Sequence, residues 1–290
     1  MKIRDLILGV SFALIWSSAF TSAKISMLDA PPFLLLSFRF LLSGTIAILM
    51  AYAIGQSISF SKAEWIAILI FGICQNTIYL GLNFAAMQWI EASLAATIAS
   101  LLPLIVTIFL WFFSSERLSG GGLIGLFVGV VGLALIINSS VLNNLNVLGI
   151  IFCFIGVMAL ATATIIVRNS TGENILMIIG LQMLVGSFSL FPLSATFEVW
   201  EVNWTVRLII SFLYTTIFPG LIATLIWFKL IYHIGPIRAA SFHFLNPFFG
   251  VLIAHIILLE QLGWQQLVGV LLVTVSILSL QMASIRKKFS

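Results

Sequence analysis

Residues 92–118 read ASLAATIASLLPLIVTIFLWFFSSERL, and residues 236–262 read PIRAASFHFLNPFFGVLIAHIILLEQL. The two stretches align without a gap at an offset of 144 residues, and each carries a proline inside an apolar run and a glutamate near its end. The identical pairs include Ala95 and Ala239, Ala96 and Ala240, Pro103 and Pro247, Glu116 and Glu260, Leu118 and Leu262, and, just beyond, Gly125 and Gly269. This pattern predicts a duplicated structural unit.

The composition indicates that the chain lives in lipid. Hydrophobic residues make up 61% of it and charged residues 8%, whereas soluble domains carry about 25% charged residues. The apolar runs are separated by turn residues and charges, because each segment in hydrocarbon must satisfy its own backbone amides. The length of 290 residues accommodates about ten helices of about 20 residues. We therefore predict an all-α integral membrane fold of ten transmembrane helices, with spans at residues 5–27, 32–54, 63–85, 92–115, 120–139, 147–168, 174–196, 206–232, 237–259 and 263–284.

The basic residues predict the orientation of these spans, since cytoplasmic loops are enriched in Lys and Arg. With the N-terminus inside, ten of the thirteen basic residues fall on the inner face. Both termini are then cytoplasmic, and Glu116 lies on the inner face while Glu260 lies on the outer face. We therefore expect residues 1–143 and 144–290 to form two inverted five-helix repeats, as in many secondary transporters. The first apolar stretch, Leu6–Met27, reads as a permanent span, and a bacterial inner membrane is the expected location.

Several partners are not expected. The basic residues are scattered singly and form no patch, which argues against nucleic acid. Cys74 and Cys153 lie in apolar runs, and the histidines at 233, 243 and 255 share no ligand spacing with them, so we predict no metal and no cofactor. No nucleophile converges with an acid and a base, so we predict no enzyme activity. The bilayer and a small-molecule substrate are the expected partners, and a monomer suffices for this role.

Motifs in both halves resemble a known family. Leu14 to Phe20, read with Lys24, looks like a Trp-Gly-Ser-x-Phe-x-x-x-Lys segment in which Ser17 replaces the usual glycine. Pro32 and Arg39 in span two resemble an early proline followed by an arginine, with Gln182 at the equivalent place in span seven. The repeated block around the two prolines is the most specific part. Together these motifs resemble the drug/metabolite transporter superfamily and, within it, the EamA-type ten-helix transporters. The resemblance implies transport of a small solute without naming that solute.

Polar and aromatic side chains inside predicted spans are the candidate substrate ligands. Gln75, Tyr79 and Asn83 follow each other at intervals of four and share one helical face of span three. His243 and Asn246 share a face of span nine immediately before Pro247. Each could equally make an interhelical hydrogen bond, worth about 1 kcal/mol in a membrane. The full candidate set is Trp16, Phe20, Gln75, Tyr79, Asn83, Tyr214, Trp227, His243 and Asn246.

Arg39 is the charge placed well inside a predicted span. An ionisable residue at that depth indicates function by default, and here it could contact a substrate carboxylate. The alternative is structural, because the guanidinium could extend outward or hold helix ends together, and the family resemblance favours a scaffold role. Both interpretations stay open at the level of the sequence.

The residue types that are missing from the middle of the predicted spans narrow the class of solute. The predicted polar zone holds no Asp or Glu, which disfavours carboxylate proton coupling and hydrophobic cations, and Arg39 alone makes no phosphate site. A neutral or zwitterionic metabolite fits best, above all an amino acid with an apolar or aromatic side chain. We therefore predict a secondary transporter, an exporter by alternating access, with gates at Glu91 and at its repeat mates Gly235 and Pro236. Two alternatives are an exporter of other hydrophobic metabolites or drugs, and a non-transporting membrane scaffold or sensor.

Overall fold

The computed structural model describes residues 3–113, 124–125, 127–132, 134–135, 146–167, 174–261 and 263–286. All regular structure within these ranges is helical. Among them, seven helices are long and apolar enough to cross a membrane, and two shorter apolar helices, Asn246–Leu258 and Leu267–Ser276, follow near the C-terminus. The prediction of an all-α, multi-span membrane fold is confirmed. Glu116 and the boundary at residue 143 lie outside the described residues, as does part of predicted span five, of which residues 127–132 are helical.

The described spans begin and end close to their predicted positions. Span three is a composite of Lys62–Phe71, Gly72–Leu80 and Gly81–Ala86, and span eight is a composite of Val206–Thr215, Thr216–Ala223 and Thr224–Ile234. Span four is Ala92–Ala99 followed by Leu102–Phe113, and span nine is Pro236–Ala240, Ser241–Leu245 and Asn246–Leu258. The other spans are Ile3–Ser26 (one), Pro32–Ala53 (two), Val147–Val167 (six), Ile175–Phe197 (seven) and Trp264–Arg286 (ten).

The irregular segments of the helices repeat with the sequence. Gly72–Leu80 and Thr216–Ala223 are π-helical, and their first residues are 144 positions apart. The break between Ala99 and Leu102 in span four corresponds to the 3₁₀ turn Ser241–Leu245 in span nine. Each break directly precedes Pro103 or Pro247, because the proline ring crowds the carbonyl four residues earlier and removes a helix donor. The two prolines that the repeat shares thus mark an interruption in both spans.

The packing of the spans is symmetric under exchange of the two halves. Span one packs on span nine, and span six packs on span four; likewise span one packs on span eight, and span six packs on span three. Spans two and seven lie together between the halves. They meet at Gly44 and Gly180, where a Cβ on Gly180 would lie 2.9 Å from the Gly44 carbonyl oxygen. Glycine is required at this crossing because the two backbones almost touch.

Hydrogen bonds at the helix ends show the relative directions of the spans. Near the C-terminal end of span one, Lys24 Nζ donates to the carbonyls of Met87 and Ile90, at the end of span three. Just beyond span one, Asp29 accepts two hydrogen bonds of 2.9 Å from Arg207, at the start of span eight. We call this side of the bundle the Lys24 end. Span three therefore ends where span eight begins, and these repeat-related spans run in opposite directions, as inverted halves require.

Two carboxylates at the Lys24 end hold helix N-termini of the opposite half. Glu198, after span seven, accepts from the backbone N–H groups of Phe33 and Leu34 in span two at 2.7 and 2.9 Å. Glu260, after span nine, accepts from the N–H groups of Ala92 and Ser93 in span four at 2.8 and 3.1 Å. Glu260 stands just before span ten in the sequence, yet its carboxylate accepts these hydrogen bonds from the start of span four.

The left-handed backbone of Leu259, with φ of 58°, precedes Glu260. His255 Nδ1 lies 2.8 Å from the Glu260 carbonyl oxygen. The Leu259 conformation and the His255 hydrogen bond hold the C-terminal end of span nine in place. The Glu260 side chain then accepts from backbone N–H groups that have no partner within span four. The glutamate is thus a cap between the halves.

Replacing Asp29 with Asn should lower the melting temperature at pH 7. Hydrogen bonds from Arg207 lower the pKa of the Asp29 carboxyl. The ion pair therefore stabilises the fold above the ordinary carboxyl pKa of about 4, and this stabilisation is lost as the pH falls through the lowered value. The difference between wild type and the variant, measured by thermal unfolding in detergent, should shrink below about pH 4. Glu201→Gln, on an exposed residue of the loop that precedes Arg207, is the control, and a difference that persists in acid would contradict the assignment.

Candidate functional site

A small cavity lies where spans one, two, three, seven and eight meet. Its volume is about 20 Å³, which is the space of about one water molecule. A metabolite therefore requires its walls to move apart. The cavity is lined by Trp16, Ala19, Phe20, Arg39, Phe40, Gln75, Asn76, Tyr79, Leu80, Asn83, Phe84, Met87, Met183, Pro219, Gly220 and Thr224.

The lining residues of spans three and eight are repeat mates. Gln75, Asn76 and Leu80 stand 144 positions before Pro219, Gly220 and Thr224, and Arg39 stands 144 positions before Met183. Equivalent positions of the two repeats therefore form part of the cavity wall, and secondary transporters bind their solutes at such a repeat interface. The chemistry is asymmetric, because the first half contributes the charge and the amides and the second half contributes apolar or small groups.

The two π-helices supply most of these mates. A π-turn bonds residue i to residue i+5 and is frequent at functional sites. In span three the wider turn brings the neighbours Gln75 and Asn76 to the cavity together. In span eight, Pro219 lies inside the π-helix and Gly220 leaves room beside Arg39, since a Cβ there would lie 3.7 Å from Arg39 Nε.

Aromatic rings form much of the remaining wall. The Trp16 and Tyr79 rings are stacked, with centroids 6.4 Å apart and an interplanar angle of 9°. Phe20, Phe40 and Phe84 also line the cavity. Such a surface favours an apolar or aromatic group of the solute over a strongly hydrated one.

Arg39 contributes an unpaired charge to the cavity. The residue is 4% exposed, and neither Nε nor Nη1 has a hydrogen-bond partner among the described residues. Its guanidinium carbon lies 5.4 Å from the centroid of the Phe40 ring. Among the residues that the structure describes, no acidic side chain lines the cavity. Arg39 therefore does not extend outward, and the described part of the chain supplies no counter-charge in the cavity. A positive group in this position is costly in a low-dielectric interior unless a ligand supplies the counter-charge.

Two amide oxygens in the cavity are also unsatisfied. Gln75 Oε1 and Asn83 Oδ1 are buried without a hydrogen-bond partner among the described residues, while Asn83 Nδ2 donates to the Tyr79 carbonyl at 2.8 Å. Leaving a buried acceptor unpaired costs about 1–3 kcal/mol. The cavity thus offers a cation and two acceptors at once.

Asn76 joins the two halves at the edge of the cavity. Its Nδ2 donates to the Gln182 carbonyl at 2.8 Å and also contacts Gln182 Oε1. Gly186 accommodates it, since a Cβ at Gly186 would lie 2.4 Å from the Asn76 Cβ. Gln182, which the sequence matched to Arg39, therefore lies outside the lining, and Met183 occupies the mate position instead.

The remaining candidates lie outside the cavity. Trp227 and His243 are buried, and His243 contacts Trp16. Asn246 hydrogen-bonds His243 and accepts from Ser17. Tyr214 is partly buried, pairs with Ser18 at 2.7 Å and stacks on Phe218. Of the nine predicted ligands, the structure brings Trp16, Phe20, Gln75, Tyr79 and Asn83 together at the cavity.

Sequence reasoning missed several lining residues, including Phe40, Asn76 and Met183. The repeat offset could have found Met183 as the mate of Arg39. Asn76 was one position off the predicted face of span three, which assumed regular α-helical spacing. Phe40 follows Arg39 directly and carries no polar signal.

The predicted gates lie at opposite ends of the bundle. Glu91 belongs to the Lys24 end, where burial and the nearby Glu260 carboxylate raise the pKa of its carboxyl. Gly235 has φ of 81° and precedes Pro236. Gly235 lies two residues after His233, whose Nδ1 is 3.6 Å from the Asp5 carboxylate. We call this second side the Asp5 end.

Several known proteins resemble this chain in sequence. Over 279 residues, 95% of this chain and 91% of the relative, the chain is 25% identical to "Uncharacterized transporter YvbV" of Bacillus subtilis. It is 25% identical to "WAT1-related protein At3g02690, chloroplastic" of Arabidopsis thaliana, covering 90% of this chain and 66% of the relative. It is also 27% identical to "Aromatic amino acid exporter YddG" of Ancylobacter novellus over 133 residues, 46% of each chain.

A solved crystal structure shares the fold with a TM-score of 0.74 at 18% identity, covering 98% of this chain and 99% of that one. The EamA-like transporter family matches residues 4–138 and again residues 147–281. The resemblance inferred from the motifs is confirmed, and the family function is transport rather than enzyme catalysis. The chain belongs to the EamA-like transporter family and is a multi-pass membrane transporter.

Proposed function

We propose that this transporter exports amino acids with apolar or aromatic side chains by alternating access. The observation that carries the proposal is the unpaired Arg39 guanidinium beside the unsatisfied oxygens of Gln75 and Asn83. A zwitterion matches all three, because Arg39 binds a carboxylate and amide oxygens accept from an ammonium group. The rings of Trp16 and Phe20 then contact the side chain.

The likeness to an aromatic amino acid exporter supports the same solute class. The solute would bind in this cavity while the two halves move about it. The Lys24 end would face outward in a bacterial inner membrane, and both termini would lie in the cytoplasm. The small volume of the cavity agrees with a closed arrangement that must widen at one end to load and at the other to release.

Purified protein in liposomes tests the proposal directly. Labelled L-phenylalanine, L-tryptophan and L-leucine should exchange across the membrane. Phenethylamine, which keeps the ring and ammonium but lacks the carboxylate, should not. Equal flux of phenethylamine would favour the alternative of a general exporter of hydrophobic solutes. Absence of flux for every amino acid would contradict the proposal.

Cross-linking the Lys24 end should stop transport. Lys24 Nζ lies 2.5 Å from the carbonyl oxygen of Ile90, which precedes Glu91. Span one and the end of span three must therefore separate at this point when the Lys24 end opens. In a background without Cys74 and Cys153, Lys24→Cys and Glu91→Cys would be joined by a short cleavable thiol reagent. We expect exchange of labelled L-phenylalanine to be lost and then restored by reductant.

A matched pair serves as the control. Ser57 N–H donates to Asn174 Oδ1 at 3.3 Å, at the junction of spans two and seven, which pack between the halves. Ser57→Cys and Asn174→Cys joined by the same reagent should leave exchange intact. Unchanged flux in the Lys24 and Glu91 pair would contradict a gate at this end.

A further inference from the structure

A second group of buried polar atoms lies beyond Trp16, outside the cavity. Trp227 and His243 are each 1% exposed, with ring centroids 5.1 Å apart and an interplanar angle of 88°. Phe12 stacks on Trp227 at 5.0 Å. The Trp16 ring, which lines the cavity, lies 5.8 Å from the His243 ring. Trp16 is therefore a wall shared by the cavity and this aromatic group.

Hydrogen bonds set the protonation of His243. Ser17 Oγ donates to Asn246 Oδ1 at 3.1 Å, which orients the amide so that Asn246 Nδ2 faces His243 Nδ1 at 2.8 Å. An amide NH₂ only donates, so Nδ1 accepts and the ring proton resides on Nε2. His243 is thus a neutral imidazole that presents an N–H donor. That donor has no partner among the described residues.

Trp227 presents a second donor of the same kind. Its indole Nε1 is buried and lacks a partner in the described part of the chain. Trp227 is the repeat mate of Asn83, whose Oδ1 is the unsatisfied acceptor of the cavity. Equivalent positions in the two halves therefore have opposite hydrogen-bonding character. At this pair of positions, Asn83 leaves an acceptor unpaired among the described residues and Trp227 leaves a donor unpaired.

We propose that His243 and Trp227 form a second station that binds a carboxylate oxygen of the solute after it leaves Arg39. This proposal rests on the proposed function. Two neutral donors complement an acceptor oxygen and reject an ammonium group, which has only hydrogens to offer. They bind a carboxylate less strongly than a guanidinium does. The solute passes from one station to the other when the Trp16 side chain moves aside.

Conservative substitutions separate the donors from the packing of their rings. Trp227→Phe keeps an aromatic ring and removes the N–H, His243→Leu removes the imidazole donor, and His243→Gln restores a neutral donor. In each single-donor variant, L-phenylalanine should bind detergent-solubilised protein with the wild-type dissociation constant, because Arg39 is intact. The maximal rate of exchange in liposomes should fall about tenfold, as for one lost hydrogen bond. His243→Gln should recover most of that rate.

Trp89→Phe, on a ring that is 44% exposed, is the matched control and should transport normally. Wild-type exchange in both Trp227→Phe and His243→Leu would overturn the second station. Equal loss in His243→Gln and His243→Leu would overturn it too, because it would assign the histidine to packing. If the wild-type protein moves no amino acid, the proposed function and the second station both fail. If the wild-type protein exchanges amino acids and the variants do so at the same rate, only the second station fails.

Discussion

Replacing Arg39 with Gln should reduce exchange of L-phenylalanine at least about a hundredfold, since charge-assisted hydrogen bonds to a carboxylate contribute about 1.5–3 kcal/mol each. The two unpaired nitrogens of Arg39 are the cationic donors of the cavity lining. Arg39→Lys keeps the charge and loses the planar fork, so we expect an intermediate loss. Initial rates in liposomes and binding to solubilised protein would measure both effects.

Stability distinguishes a ligand role for Arg39 from a scaffold role. A buried guanidinium without partners destabilises the empty protein, so Arg39→Gln should leave the melting temperature unchanged or raise it. A scaffold arginine would lower the melting temperature when removed. Lys62→Gln, at an exposed position, is the control for losing a positive charge. Normal exchange of amino acids by Arg39→Gln would contradict the carboxylate assignment.

Replacing Gly180 with Val should remove most of the folded protein. The new Cβ would lie 2.5 Å from Ile48 Cγ1, 2.9 Å from the Gly44 carbonyl oxygen and 3.0 Å from the Ile48 backbone nitrogen. Two of these atoms are backbone, so only separation of spans two and seven could relieve the clash. Overpacking of this kind costs about 1–3 kcal/mol or more. The yield of monodisperse protein and its melting temperature are the measurements.

Gly81→Ala is a milder substitution at another helical glycine and serves as the tolerated reference. A Cβ there would lie 3.3 Å from Leu190 Cδ2, the end of a flexible side chain, and 3.7 Å from Phe33 Cε1. We therefore expect nearly wild-type yield for Gly81→Ala. Equal yields for Gly180→Val and Gly81→Ala would show that the crossing of spans two and seven tolerates separation.

Helical periodicity located part of the site. Gln75, Tyr79 and Asn83 share the predicted face and reach the cavity together. Asn76 lies in the π-helix Gly72–Leu80, one position from the predicted face, and a spacing of four residues does not select it. Tyr214 has the right depth but lies toward Ser18 and Phe218.

The helix caps also show which features the sequence indicates and which require the tertiary structure. The sequence placed Glu260 near a helix N-terminus, and a carboxylate is favourable there. It could not reveal that the helix in question begins at Ala92, 168 residues earlier in the chain. A cap between distant segments depends on how whole spans pack, and no local pattern encodes it.

The amino-acid sequence alone determined the solvent, the helical class and the duplication. Apolar segments in lipid must close their backbone hydrogen bonds locally, and an offset of 144 residues is visible without coordinates. Only the tertiary structure decided which polar atoms remain without partners. Only the surroundings of Arg39, Trp227 and His243 show that their nitrogens are buried without hydrogen-bond partners among the described residues. Partner choice inside a membrane is a long-range property, because each buried group is satisfied by whichever span packing brings into reach.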